Sequence, residues 1–134
     1  MKKIIKFILI FTLTFFPSLG GVIAKEKIKI GLLVPLTGKN SEVGQSIIKA
    51  VRLAINQINN LSIEIIPKDT ASNPGITLRS AKELKQLGVK IVIGPVFNKN
   101  LIYLDELSEL IFLSLTNKDN DKSQNIINAG INAT

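Results

Sequence analysis

The sequence has no cysteine, histidine or tryptophan and only one tyrosine among its 134 residues. Without cysteine there can be neither a disulfide framework nor a thiolate nucleophile. Without histidine as well, the usual zinc sites, a Ser-His-Asp triad and a Cys-His pair are excluded. A hydrolase could still use carboxylates alone, so these absences weaken the hypothesis of an enzyme without excluding it. We expect a protein that is not an enzyme and that uses no cofactor or metal.

Phosphate-binding and nucleic-acid-binding patterns are missing too. Gly31, Gly38 and Gly44 do not fit G-x-G-x-x-G, and no G-K-[ST] motif occurs. The chain carries 17 basic and 10 acidic residues, but three of the lysines lie within the first six residues. The other basic residues are scattered singly and are not interleaved with aromatic side chains, as they would be on a nucleic-acid surface. We expect no nucleic-acid partner.

The first 24 residues have the pattern of a secretory signal peptide. Three lysines form a positive start, residues 7–16 are apolar, and Ala24 ends a small-x-small cleavage pattern. An uncleaved membrane anchor is the alternative, but the apolar run is shorter than the ~20 residues that usually span a bilayer. We expect cleavage after Ala24 and a periplasmic mature chain, residues 25–134, with room for one domain.

The mature region alternates between apolar runs typical of buried strands and stretches with helical periodicity. We predict strands near 28–34, 62–67, 90–93 and 111–115, a short fifth strand at 125–129, and helices near 41–59, 75–87 and 100–108. This order predicts an α/β fold, a parallel sheet with helices on both faces and right-handed crossovers. The apolar positions of the helices are predicted to be buried, and in the first helix these are Val43, Ile47, Val51, Ala54, Ile55 and Ile58.

Local signals mark the helix ends. Asn40 or Ser41 is expected to cap the first helix, and Asn73-Pro74 to start the second. Gly88 is expected to end the second helix with a left-handed residue. Gly44 fits two interpretations: close approach of a loop or ligand, or simple tolerance of glycine in a first helical turn.

Polar loops follow strands one, three and four of the predicted sheet. Such loops meet at the carboxyl edge of a parallel sheet, where α/β proteins bind ligands. Their hydroxyls, amides, lysine and aromatic ring suit a small polar or anionic ligand held without bond making. The predicted ligand-binding residues are Ser41, Phe97, Asn98, Ser114 and Thr116. Asn98 is the sharpest candidate because an amide can both donate and accept. Asp69, after strand two, either touches the ligand or caps its own turn.

Three segments carry a resemblance to a known family. They are I-G-L-L-V-P-L-T-G-K-N-S-E-V-G-Q-S (30–46), I-E-I-I-P-K-D-T-A-S-N-P (63–74) and L-G-V-K-I-V-I-G-P-V (87–96). All three resemble type I periplasmic binding proteins of the leucine/isoleucine/valine-binding kind. The resemblance implies a two-lobed protein that closes on an amino acid or similar small polar ligand and presents it to an inner-membrane ABC permease. It also implies that residues 25–134 are the amino-terminal part of the first lobe, and that the chain is a fragment.

The second half also resembles the penicillin-binding-protein activators. The resemblance lies in Phe97 after I-G-P-V, in the polar loop 116–123 and in the strand 126–130 that ends in glycine. It implies a regulator of cell-wall synthesis that acts by contact with a cell-wall synthase. Two functions therefore remain open: substrate binding for an ABC importer and, as the alternative, regulation of cell-wall synthesis.

Overall fold

The computed structural model describes residues 26–59, 62–117 and 123–130. The predicted signal peptide and the middle of the loop after the fourth strand lie outside these residues. The strands are β1 (Ile28–Val34), β2 (Ile63–Asp69), β3 (Ile91–Ile93), β4 (Ile111–Ser114) and β5 (Ile126–Asn128). The α-helices are α1 (Ser41–Ile58) and α2 (Pro74–Gln86), and two short 3-10 helices span Asn98–Leu101 and Leu104–Glu106.

All five strands pair in parallel, in the order β2-β1-β3-β4-β5. The predicted α/β class and parallel sheet are confirmed. The chain moves from β1 to β2 in one direction and then crosses back over β1 to reach β3. Because parallel crossovers are right-handed, α1 and α2 lie on opposite faces of the sheet.

The hydrophobic core lies on the α2 face. Val92 and Phe112 point into it from the sheet, and Leu84 of α2 is fully buried against them. At Gly31 an added Cβ would lie 2.6 Å from the Leu84 side chain, so the absence of a side chain in β1 lets α2 pack closely. The core residues on this face are Leu33, Ala81, Leu84, Val89, Val92, Leu101, Leu104, Leu107, Leu110, Phe112 and Ile126.

The predicted burial of the α1 stripe is only partly correct. Ile47, Val51 and Ile55 are half-buried, but Ala54 is exposed and Ile58 is 61% exposed. Val43 is also exposed. The reason is that β1 is the strand that α1 mainly contacts, so the sheet covers just one side of a wide apolar stripe.

The predicted third α-helix at 100–108 is wrong. The chain forms two 3-10 turns there, and four leucines spaced three apart all point into the core. A spacing of three matches the 3-10 helix, which has three residues per turn, better than the 3.6 of an α-helix. These leucines are Leu101, Leu104, Leu107 and Leu110.

The two ends of α2 confirm the sequence signals. The Asn73 side chain accepts a hydrogen bond from the Ile76 amide at 3.1 Å, and Pro74 is the first helical residue. Gly88 has φ +80°, and the Val89 amide donates to the Leu84 carbonyl at 3.1 Å. This is the predicted left-handed helix end.

The predicted cap of α1 is absent. Asn40 occupies the cap position, but its side chain makes no hydrogen bond to the first helical turn. Its amide instead donates to the Ser72 hydroxyl at 3.0 Å, which joins the loop after β1 to the loop after β2.

Candidate functional site

The carboxylate of Asp69 organises the loop after β1. Asp69 ends β2, and its Oδ1 accepts from the backbone amides of Leu36 at 2.7 Å and Thr37 at 3.3 Å. The Thr37 hydroxyl donates to Oδ2 at 2.5 Å. The Ala71 amide donates to Oδ1 at 2.7 Å, so Asp69 caps its own turn as well. The turn-capping interpretation is confirmed, and the same carboxylate also fixes the neighbouring loop.

The pKa of Asp69 lies below its ordinary value of 3.8. Partial burial by itself raises this pKa, because it disfavours the charged form. The hydrogen bonds from the Thr37 hydroxyl and from the amides of Leu36, Ala71 and Thr37 together outweigh that effect. Asp69 therefore holds the loop as a carboxylate at neutral pH.

The start of α1 lies directly against the loop after β1. An added Cβ at Gly44 would lie 1.8 Å from the Pro35 carbonyl oxygen, so no side chain fits there. Of the two interpretations of Gly44, the structure supports close approach, and the approaching group is the loop backbone. Ser41 begins the helix, is half-buried, and donates its amide to the Gly38 carbonyl at 3.1 Å.

The loop after β3 begins with a second close backbone contact. Gly94 has φ +106°, and its amide donates to the Leu113 carbonyl at 2.8 Å. An added Cβ at Gly94 would lie 2.2 Å from the Leu33 carbonyl oxygen. Both the backbone conformation and the space therefore require glycine. The Gly94–Pro95 peptide bond is cis.

Beyond this turn, Asn98 lies beside the first turn of α2. Phe97 is half-buried, whereas Asn98 and Lys99 are exposed. Asn98 and Lys99 line an open cavity of about 340 Å³ together with Pro74, Leu101 and Ile102. Asn98 therefore lies at the edge of this cavity, which also borders the start of α2.

Ser114 and Thr116, at the end of β4, are buried and bonded to each other. The Ser114 hydroxyl donates to the Thr116 hydroxyl at 3.1 Å and accepts from the Thr116 amide at 3.2 Å. The backbone of Gly130 packs against the Thr116 carbonyl, where an added Cβ would lie only 2.0 Å away. These two hydroxyls are therefore part of a tightly packed strand end.

All five predicted ligand-binding residues lie at the carboxyl edge, but in different surroundings. Ser114 and Thr116 share a hydrogen bond. Asn98 lines the cavity beside α2, and Ser41 belongs to the start of α1. Their role in binding stays a prediction.

Sequence reasoning missed two buried amides in this region. Asn100 is 1% exposed, and neither polar atom of its side chain has a hydrogen-bond partner among the described residues. Asn128, which pairs in register with Ser114, has a buried Oδ1 that likewise finds no partner in the described part of the chain. The signal in the sequence was the position of Asn100, directly before Leu101, the first of the four leucines spaced three apart. A buried amide at such a position usually has hydrogen-bond partners.

Two negative findings apply to the described residues. No group of three or more His, Cys, Asp or Glu in the ranges 26–59, 62–117 and 123–130 could hold a metal ion. Within the same ranges, neither α-helix is long and apolar enough to cross a membrane.

A family model described as periplasmic binding protein matches residues 27–126. The chain belongs to this family. The matched segment runs from β1 to the start of β5, so it includes every loop of the carboxyl edge described above. No curated protein sequence matches the chain.

Two kinds of solved structure are among those with the same fold. A solute-binding protein of an ABC transporter from Rhodopseudomonas palustris BisB5, in complex with 3,4-dihydroxybenzoic acid, is 26% identical with a TM-score of 0.68. The match covers 75% of this chain and 31% of that one. The C-domain of LpoA (YraM) from Haemophilus influenzae, a regulator of PBP1A, is 25% identical with a TM-score of 0.60, over 73% of this chain and 31% of that one.

A further R. palustris solute-binding protein, in complex with 4-hydroxybenzoate, has a TM-score of 0.69 at 21% identity, over 76% of this chain and 31% of that one. At this identity the match shows the shared fold alone. The chain spans about a third of the length of these three relatives.

Proposed function

We propose that the chain serves as a periplasmic substrate-binding protein of an ABC-type importer, and that it binds a small polar solute without chemistry. Residues 25–134 would form the amino-terminal part of its first lobe, after removal of the signal peptide. The observation that carries the proposal is the cavity at the carboxyl edge lined by Asn98 and Lys99. Membership of the binding-protein family supports the same function.

The chemistry of this cavity suits a carboxylate-bearing ligand. Lys99 supplies a positive charge, and Asn98 supplies an amide that can donate or accept. Pro74 begins α2, so the positive end of a helix dipole borders the same space. The ligand class we propose is an amino acid or a similar small carboxylic acid, and Phe97 would pack beside it. The hydroxyls of Ser114 and Thr116 would contribute only by exchanging their mutual hydrogen bond for one to the ligand.

A thermal-shift screen of the chain tests the proposal. The probes are the branched-chain amino acids, 4-hydroxybenzoate and 3,4-dihydroxybenzoate, each paired as control with its amide, which lacks the carboxylate charge. A ligand present at 100 times its dissociation constant should add about 2.7 kcal/mol to the free energy of unfolding. Stabilisation by an acid but not by its amide would support a carboxylate site. A flat response to every acid would contradict the proposal.

Replacing Asn98 with Ala locates the site. Ligand affinity should fall by about 1–3 kcal/mol, because a polar group of the ligand is left without its partner. Stability without ligand should hardly change, since Asn98 is exposed. Asn56→Ala, on the exposed side of α1, is the matched control and should leave affinity unchanged. If Asn98→Ala also leaves affinity unchanged, the site lies on another loop, and Ser41 is the next residue to replace.

The second candidate function is regulation of a cell-wall synthase by protein contact. It is favoured by Ile102, which lines the same cavity and is 64% exposed, and by Tyr103, the next residue in the chain, which is 44% exposed. Two exposed apolar side chains suit a protein interface better than a polar ligand. The similarity to LpoA supports the same candidate. Capture of a purified cell-wall synthase by the wild-type chain, and loss of that capture with Ile102→Ser, would favour this function over solute binding.

A further inference from the structure

The core changes from apolar to polar where the sheet reaches its carboxyl edge. Val92, Phe112 and Ile126 pair in register on neighbouring strands and are all buried in the core. Side chains alternate along a strand, so the residues two positions further on, Ser114 in β4 and Asn128 in β5, point to the same face. Ser114 and Asn128 also pair in register. A polar row therefore closes the carboxyl end of the apolar core.

Asn100 is buried at this end of the core. It belongs to the 3-10 helix Asn98–Leu101, and the next side chain, Leu101, is part of the core. The loop that leads to this helix is held against the end of β4, because the Leu115 amide donates to the Pro95 carbonyl at 3.0 Å. Asn100 is 1% exposed. Its amide group therefore lies inside the protein, next to leucine.

Three side-chain polar atoms at this end have no hydrogen-bond partner among the described residues. They are Nδ2 and Oδ1 of Asn100 and Oδ1 of Asn128. The oxygen of an amide can accept two hydrogen bonds, and its nitrogen can donate two. The large majority of buried polar atoms in proteins are bonded to protein or to ordered water, because an unpaired one is costly. These three atoms therefore require a partner that the described side chains do not supply.

The burial and chemistry of the two asparagines select water as that partner. At 1% exposure, Asn100 is closed to a solute from the carboxyl edge. Both side chains are neutral amides, and no group of His, Cys, Asp or Glu within 26–59, 62–117 and 123–130 could hold a metal ion. A water molecule is small and both donates and accepts. Globular proteins contain about one buried water per 27 residues, typically bonded to buried polar groups that are otherwise unsatisfied.

We propose that the polar end of the core binds internal water through Asn100 and Asn128. The two Oδ1 atoms are both acceptors, so they cannot bond to each other, whereas water can donate to both. The Nδ2 of Asn100 donates to water of the same cluster. This buried water site joins the loop after β3 to β5. It does not depend on the proposed binding of a solute.

Nuclear magnetic resonance of the full chain, labelled with a nitrogen isotope, tests the site in solution. The side-chain amide protons of Asn100 should show Overhauser contacts to water with the sign of a long-lived bound molecule. Asn56, whose side chain is exposed on α1, is the matched control and should show only rapidly exchanging water. A crystal structure should place water oxygens about 2.7–3.2 Å from the amide atoms of Asn100. No long-lived water at Asn100, or a direct bond from its amide to another protein group, would overturn the proposal.

Asn100→Leu removes the amide but keeps a side chain of similar size. The long-lived water contacts of the Asn128 side chain should disappear in this variant and should persist in Asn56→Leu. Its melting temperature should not exceed that of the wild type, because Oδ1 of Asn128 loses the water held by Asn100. A rise of more than about 4 °C would show that the Asn100 amide is unpaired in the wild type, and would overturn the proposal. If Asn100→Leu does not fold, the measurements on the wild type decide.

Discussion

At the residue scale, the carboxyl edge is held together by backbone contacts that leave no room for side chains. Gly44 touches the Pro35 carbonyl, Gly94 the Leu33 carbonyl and Gly130 the Thr116 carbonyl. Asp69 adds a carboxylate that accepts from two successive amides of the loop after β1. The shape of this edge therefore depends on a few positions with strict requirements, although its loops are polar and exposed.

Gly44→Ala should destabilise the protein by about 1–3 kcal/mol, the usual range for overpacking. The added methyl group would overlap the Pro35 carbonyl, so α1 or the loop must move. Gly75→Ala is the matched control, because a Cβ there lies 3.4 Å from the Asn73 side chain in ordinary contact. It should be neutral or slightly stabilising, since alanine favours helix. Equal denaturant midpoints for Gly44→Ala and the wild type would contradict the contact.

Asp69→Asn should lower stability at neutral pH by about 1–3 kcal/mol, because an amide cannot replace a carboxylate as acceptor of four hydrogen bonds. The pKa of Asp69 is lower in the folded protein than its ordinary value of 3.8. Its stabilising contribution is therefore complete above that ordinary value and is lost as the pH falls through the lower folded pKa.

The difference in urea midpoint between wild type and Asp69→Asn should accordingly shrink as the pH is lowered from 5 to about 2. Glu106→Gln, which removes one exposed carboxylate elsewhere, serves as the control. A difference that stays constant over this pH range would show that the carboxylate charge does not hold the loop.

At the scale of elements, local signals predicted most boundaries because their causes are local. The proline and asparagine that start α2 and the glycine that ends it act through the nearest backbone groups. Prediction failed where the cause is distant. Asn40 bonds to Ser72 in the loop after β2 instead of capping α1. The 3-10 helices Asn98–Leu101 and Leu104–Glu106 form because the core admits leucines at a spacing of three.

Asn73→Ala should destabilise the protein by about 1 kcal/mol, since the Ile76 amide loses its acceptor at the start of α2. Asn73→Ser should recover most of that loss, because serine also caps helices. The measurement is equilibrium unfolding in urea with unchanged m-value. If Asn73→Ala and Asn73→Ser lose the same free energy, capping is not the role of Asn73.

At the scale of the whole molecule, the main cluster of buried apolar side chains among the described residues lies on one side of the sheet. Leu84 is fully buried between Gly31 and Val92 on the α2 face. Leu53 of α1, on the other side, is 64% exposed. This difference agrees with the sequence pattern, since Leu53 is not among the apolar positions of the first helix that were predicted to be buried.

Leu84→Ala should therefore cost about 2–5 kcal/mol, the range for a leucine removed from a packed core. Leu53→Ala should change stability by less than about 0.5 kcal/mol. Thermal and urea unfolding of the two variants under identical conditions provide the comparison. Similar losses for both would mean that α1 is covered in solution on its outward side.

The sequence by itself determined the α/β class, the strands, the two α-helices and the loops that meet at the carboxyl edge. These follow from periodicity, turn residues and right-handed crossovers, which act between neighbours in the chain. Only the tertiary structure decided which side of α1 is buried, that Asp69 holds a loop about 32 residues earlier, and that Asn40 bonds to Ser72. These features depend on contacts between distant segments, and a residue pattern does not specify which distant group a side chain will meet.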